Sequence, residues 1–480
     1  MTPSSIPLTR RQSLQTLSSG IGWLAFSALA QQAAAQQAAA QQAAAQSGLS
    51  TRTPHLPPRA KRIIFLTMRG GPSHVDLFDY KPDLIKHHGR SADLGRDSAG
   101  AKLLAPVHPF AQHGQAGQWI STLFPRLARH ADDLCLINSM QTDLPNHAQA
   151  FVQMHTGSFQ FVRPSLGAWT LYGLGSENEN LPGFITLNPP ADNGGARNYG
   201  SAFLPAIHQG TRIGGSQLPD LYAAFLKRDD TPGPPMKNIR NAQLSPALQR
   251  AQLDLIRGLN EHKLARDLYQ PEVEGAIESF ELAFRMQAEV PSALDVSSEP
   301  EHLLKLYGIG KEKDQFARQC LLARRLAESG VRFIEITSQV NWDHHNLLKT
   351  NLASACAATD QPIAALLTDL KARGMLAETL VVWAGEFGRT PYAQGVDGRD
   401  HNHKGYSIWM AGGGVKGGLT YGATDDIGYK AILDPMHLHD WHATLLHLLG
   451  LDHKRLTYNY GGRNFRLTET FGNVAHGILA

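Results

Sequence analysis

Arg62-Ile-Ile-Phe-Leu-Thr-Met68, closed by Gly70-Gly71-Pro72, is the stretch from which the fold can be read. It is apolar without alternation, rich in β-branched and aromatic residues, and ends at turn formers, so it reads as a strand buried on both faces. Working outward, Leu134–Asn138, Gly183–Leu187, Val331–Thr337 and Thr379–Ala384 have the same character, and helical patterns lie between them at 251–269, 315–328 and 351–373. Strands separated by helices pair in parallel, and a parallel sheet needs cover on both faces. The expected fold is α/β: a three-layer α/β/α sandwich with a mainly parallel central sheet. In such sheets ligands gather beyond the carboxyl ends of the strands.

Four polar clusters stand at such positions. After the first strand come His74, Asp76 and Asp79, which read either as hard or borderline metal ligands or as a turn with an Asp cap. Asn341-Trp-Asp-His-His345 follows the strand ending near Thr337. Asp343 and His345, two residues apart on a loop, can converge on one cation or simply form hydrogen-bonded structure. The densest set is Glu386 and Arg389 after the strand 379–384, with Asp400, His401 and His403 in the glycine-flanked loop that follows. Arg389 and Arg399 offer forked donors to an oxyanion, or ordinary ion pairs. In the fourth cluster His437 and His439 precede a leucine-faced helix, whose own His442 and His447 read as core. His147 opens a further helical segment, where free backbone N–H groups can meet an anion.

Composition limits the function. The chain has 480 residues, 42% hydrophobic and 18% charged, enough for a large core. Its net charge of +3, with two of the arginines in the leader described next, gives no basic excess for nucleic acid. Cys135, Cys320 and Cys356 are too few and too scattered for a disulfide framework or a Cys-zinc site. Arg10-Arg11, an uncharged stretch to Ala30 and the small-x-small ending Ala28-Leu29-Ala30 resemble a twin-arginine export signal over residues 1–30, too short to span a membrane. Residues 31–60 read as a Gln/Ala-rich disordered linker and 61–480 as the folded domain. No GxxxxGK[ST], HExxH or GxSxG motif is present, and the glycine run 412–418 reads as a bend near the site.

Gly70–Asp76, Trp342–His345, Gly385–Pro391, Gly398–His401, Ala411–Gly418 and Asp440–Gly450, taken in order, resemble the DUF1501 proteins, sulfatase-like members of the alkaline phosphatase-like superfamily. The resemblance implies export, one or two divalent metals at strand ends, and a Ser, Thr or modified Cys nucleophile acting on phosphate or sulfate esters. Three positions depart from that pattern. Glu386-Phe387-Gly388 stands where sulfatases carry Asp-His-Gly, Arg69 stands where the first strand ends in an Asp ligand, and His147 falls in the nucleophile's slot.

The resulting expectation is an exported, periplasmic or extracellular, metal-dependent hydrolase of an anionic small-molecule or glycan ester. Asp343, His345, Glu386, Asp400 and His401 would bind zinc, manganese or iron in preference to calcium. His147 and Arg389 would be catalytic, with His74, Asp76, His403, His437 and His439 as secondary candidates. The alternative is a non-catalytic exported binding or scaffold protein that uses the same pocket for an anionic glycan or partner. Replacing Arg10 and Arg11 by lysine is expected to retain the protein in the cytoplasm, scored by fractionation. Unchanged export would point to the general secretory route.

Overall fold

A computed structural model of the chain describes residues 49–95, 98–215, 239, 243–266, 271–310 and 314–480. The expected export signal, and the linker as far as residue 48, lie outside the described residues.

The apolar runs form one nine-stranded sheet. At its centre β1 (Arg62–Thr67) pairs in parallel with strands that lie far away in sequence, which fixes the positions of the loops that follow them. We number the other sheet strands and the ribbon between them β2 (Leu134–Gln141), β3 (Phe184–Leu187), β4 (Thr211–Ile213), β5 (Phe333–Thr337), β6 (Thr379–Ala384), β7 (Gly388–Gln394), β8 (Gly398–Asn402), β9 (Tyr406–Ala411), β10 (Leu419–Tyr421) and β11 (Met436–His437). The sheet order is β10-β2-β9-β6-β1-β5-β3-β4, with β11 also on β2. Thr67 is level with Thr337 on one side and with Ala384 on the other, so three loops leave the sheet at the same height. Among the sheet strands β9 alone runs antiparallel to its neighbours. β7 and β8 form a separate antiparallel ribbon where a loop was expected.

Helices α1 (His74–Leu77), α2 (His147–Thr156), α3 (Leu166–Leu174), α4 (Gln315–Glu328), α5 (Leu348–Ala372) and α6 (Leu438–Leu448) close the core. On one face the Phe65 ring meets His155 of α2 and Trp441 of α6, while Phe184 packs on Gly167 of α3. Ile64 and Leu66 point the other way and are equally buried. The helix in contact with β1 and β5 on that side is α4, with α5 packed against it. The three-layer α/β/α sandwich is therefore the observed fold.

Two expectations about chain organisation are corrected. Residues 49–60 are not a free spacer. Leu49 is buried, and the amides of Arg52, Leu56, Arg59 and Ala60 donate to carbonyls at the ends of α3 and α6, with Leu448 O accepting from both Arg59 and Ala60 at 2.8 and 2.9 Å. Such carbonyls have no partner inside their own helix, so the segment acts as a shared cap. The glycine run lies at the opposite end of the sheet from the strand tips, because it follows β9, whose Ala411 is level with Leu134 at the start of β2. The three cysteines are free and buried, and burial pushes the Cys135 thiol up to about 12.

Truncation to start at Arg59 removes Leu49 and two of these caps. Relative to a chain starting at Ser47, it is expected to lose about 2 kcal/mol or more in denaturant unfolding, from the buried leucine alone; equal midpoints would contradict the packing. A pH effect follows from His442, which is fully buried and donates through Nε2 to Met154 O at 2.8 Å. Burial lowers its pKa to about 3, so the folded state refuses a proton that the unfolded chain accepts below about 6.5. Stability should hold above pH 6.5 and fall as the pH drops from 6.5 towards 3, by about 1.4 kcal/mol per pH unit per such group. His442→Gln should flatten that slope in pH-dependent denaturation; an unchanged slope would contradict it.

Candidate metal centre

Four segments meet beyond the carboxyl ends of β1, β2, β5 and β6. The turn after β1 passes so close to the loop after β5 that a Cβ on Gly70, at φ +113°, would lie 2.5 Å from Asp343 N. Glycine is required there for both space and backbone conformation. The loop after β5 is pinned by Trp342, a buried ring set edge-on to Trp383, whose amide donates to Arg69 O at 3.1 Å. Asn341 Oδ1 accepts the Asp343 N–H at 3.0 Å, an Asx turn that orients the carboxylate.

On this frame the side chains of His147, Asp343, His345 and His401 converge, each offering one ligand atom, all within 4.8 Å of one another. Asp343 Oδ1 lies 3.1 Å from His147 Nε2, 2.8 Å from His345 Nε2 and 3.4 Å from His401 Nε2. His345 Nε2 and His401 Nε2 are 3.0 Å apart. Bonds of about 2.0–2.1 Å in a tetrahedral site separate ligand atoms by about 3.3 Å, so these spacings suit a metal ion.

The outer nitrogens fix the tautomers. His147 Nδ1 is 2.6 Å from Glu386 Oε1, His401 Nδ1 is 2.8 Å from Pro145 O, and His345 Nδ1 contacts Gln394 Oε1. Each partner is an acceptor, so each Nδ1 keeps a proton and Nε2 is the nitrogen turned inward, free to bind a cation once any proton on it has left. His147 Nε2 is buried and finds no hydrogen bond of good geometry, an unpartnered atom aimed into the cluster. Burial opposes a charge on His147, but Asp343 and Glu386 outweigh it and raise its pKa to about 9. Burial likewise opposes the Asp343 charge, and His147, His401 and Arg389 hold its carboxyl well below the usual carboxylate range.

The remaining expected residues have other places. Glu386 is not one of the converging groups. Its buried carboxylate accepts the Gly70 N–H at 3.0 Å, the Gly71 N–H at 3.3 Å and the His147 ring. Asp400 turns away and accepts the N–H of His401 at 2.8 Å. Asp400 stands where the pairing of β8 with β7 shifts register between Arg399 and His401, and its own amide donates to Thr390 Oγ1 at 3.0 Å. His344 is held outside the cluster with its Nε2 on Asn341 O at 3.0 Å, and burial lowers its pKa to about 4. Arg389 is not an anion clamp. Its guanidinium is 1% exposed and is spent on Gly70 O, Gly71 O, Arg399 O and Asp343. Arg399 is likewise closed off, paired with Asp76 at 2.7 Å. His74 is buried against Gly428 O at 2.7 Å. His403 is outside the cluster. His437 caps α6 and meets Asp143 at 3.1 Å, and His439 meets Gly157 O at 2.8 Å. Arg69 is neutralised by Asp192 at 2.7 Å. His147 is thus held as a ring with Nε2 turned inward, where the resemblance suggested a nucleophile.

A family model described as a protein of unknown function, DUF1501, matches residues 60–479. Comparison with curated proteins gives no match. Solved structures similar to the chain include the lipoteichoic acid synthase LtaP from Listeria monocytogenes, at 10% identity and TM-score 0.36, covering 88% of this chain and 78% of that one. The PsFucS1 sulfatase from Pseudoalteromonas sp. is similar at 13% identity and TM-score 0.36, over 82% and 68% of the two chains. The C-terminal periplasmic domain of EcEptC from Escherichia coli, in complex with Zn, is similar at 10% identity and TM-score 0.34, over 88% and 98%. Among the described residues no helix is long and apolar enough to cross a membrane.

Proposed function

The chain belongs to the DUF1501 family, and we propose that it is an exported metal-dependent hydrolase of phosphate, sulfate or related esters, with one divalent cation held by His147, Asp343, His345 and His401. The observation that carries this reading is the set of three imidazoles whose Nδ1 atoms all face acceptors while their Nε2 atoms face one carboxylate oxygen. Three imidazoles and a carboxylate suit zinc, manganese or iron better than calcium, which prefers an all-oxygen shell. A cation bound there would supply Lewis-acid polarisation of the ester and a more acidic water.

The chain's own residues have defined tasks. Glu386 keeps the Nδ1 proton on His147 and so keeps Nε2 as the nitrogen turned inward. Arg389 holds Asp343 in place and balances its charge from behind. With that guanidinium committed, an anionic ester oxygen would meet the first-turn amides of His147 and Ala148 at the N-terminus of α2. These amides have no carbonyl partner within the helix, and the cap Asn146 serves Gln149 instead. His147 fills the slot where the resemblance expects a Ser, Thr or modified Cys and is itself one of the converging groups, which favours direct attack by water over a covalent intermediate. The same two features, the closed arginine and a histidine in the nucleophile's slot, are what a non-catalytic binding protein would also show.

Elemental analysis and turnover of p-nitrophenyl phosphate and p-nitrocatechol sulfate separate the readings. Exported wild type is expected to carry about one equivalent of transition metal, and the double variant His345→Ala, His401→Ala less than about a tenth, with turnover lost in parallel. Glu386→Gln should weaken metal affinity by about 10- to 100-fold. Wild type that stays metal-free after incubation with excess zinc, manganese or iron would overturn the metal site. Full occupancy without turnover of any ester would favour the binding protein.

A further inference from the structure

The hydrolase reading makes no use of an aromatic surface beyond the opposite end of α2, a helix of ten residues and so about 15 Å long. The hairpin of Tyr458–Tyr460 and Arg463–Phe465 lies beside Phe203 there. The Phe203 ring is nearly parallel to Tyr458 and Tyr460, at interplanar angles of 19° and 18° and centroid separations of 6.0 and 5.3 Å, and it is 5.0 Å from Phe465. Arg163 sits between two rings, 4.9 Å from Phe161 and 4.6 Å from Phe465, and Arg463 lies 4.7 Å from Phe465.

Phe203, Tyr458 and Phe465 are half-buried, and two rings of the group stay exposed. Phe161 is 57% exposed and Tyr460 53%. Exposed aromatic rings gathered in one patch, with cations laid on their faces, mark a recognition surface more often than a core in deficit. The charge is also one-sided. Arg163 and Arg463 share the single carboxylate of Glu469, at 2.8 and 3.2 Å, leaving a positive surplus to which the exposed Lys454 and Arg455 just before the hairpin add.

We propose that this face binds an anionic polysaccharide, its sugar rings stacking on the exposed rings of Phe161 and Tyr460 and its sulfate or carboxylate groups meeting the exposed Arg463. Exposed rings beside guanidinium groups match a chain whose own repeat alternates apolar ring faces and anionic substituents. A membrane surface would be met better by projecting apolar wedges than by rings laid against one another. The proposal is independent of the metal site, and either can fail alone.

The test is titration of the full chain with dextran sulfate and with neutral dextran, by affinity electrophoresis. Dextran sulfate should bind more tightly than dextran. Tyr460→Ala and Arg463→Gln should each weaken that binding by about tenfold with an unchanged melting temperature, as expected for exposed positions. Phe161→Ala provides a second aromatic variant should Tyr460→Ala disturb folding. The proposal is overturned if dextran sulfate does not bind, if neutral dextran binds as tightly, or if these variants bind like wild type. It is equally overturned if the patch proves to be a self-association surface, lost as a dimer in Tyr460→Ala, or if phosphatidylglycerol vesicles bind it and dextran sulfate does not.

Discussion

A single carboxylate oxygen, Asp343 Oδ1, holds the candidate centre together, because three imidazoles and a buried guanidinium all face it. Arg389 has almost no contact with water, and a buried charge must be balanced locally or it is costly. Asp343 and Glu386 provide that balance with one negative charge in excess. The excess accounts for both states of the site. Without a cation, a proton on His147 restores neutrality, and its raised pKa reflects that pull. With a cation, the proton must leave Nε2, so binding and proton release are coupled.

The sheet serves this electrostatic arrangement. β1, β5 and β6 end level with one another, and the turn after β1 lends its two glycine amides to Glu386 and its two glycine carbonyls to Arg389. One short glycine turn therefore neutralises both an anion and a cation behind the imidazoles. A side chain on Gly70 would break that arrangement at its origin, since its Cβ would collide with the Asp343 backbone.

Much of this was legible in the sequence, for a physical reason. β6 was readable to the residue because a strand buried on both faces is an unbroken apolar run stopped by glycine. Asp343, His345 and His401, whose side chains converge in the structure, were singled out by the rule that chemistry collects at strand ends. The ribbon β7–β8 was not found, because its arginine, proline, aspartate and histidine residues look like loop, and its arginines are buried only by partners such as Asp76, 323 residues away. That same omission misassigned Asp400, which stands at the register shift of the ribbon and accepts the His401 amide. The role of His147 depends on Glu386, 239 residues distant, and no local spacing can show such a pair. The anion-clamp role given to Arg389 failed because forked donors can serve backbone carbonyls as readily as a substrate. The sulfatase-like resemblance reached the fold correctly, while the identities of the groups at each slot had to come from the geometry.

X-ray absorption spectroscopy on protein loaded with one equivalent of zinc tests the central claim most directly, since it reads the donor atoms around the ion. The account predicts nitrogen and oxygen donors at about 2.0–2.1 Å with the outer-ring scattering of three imidazoles, falling to two in His401→Ala. A shell of water and carboxylate oxygens without imidazole scattering, or a shell identical in wild type and His401→Ala, would contradict it.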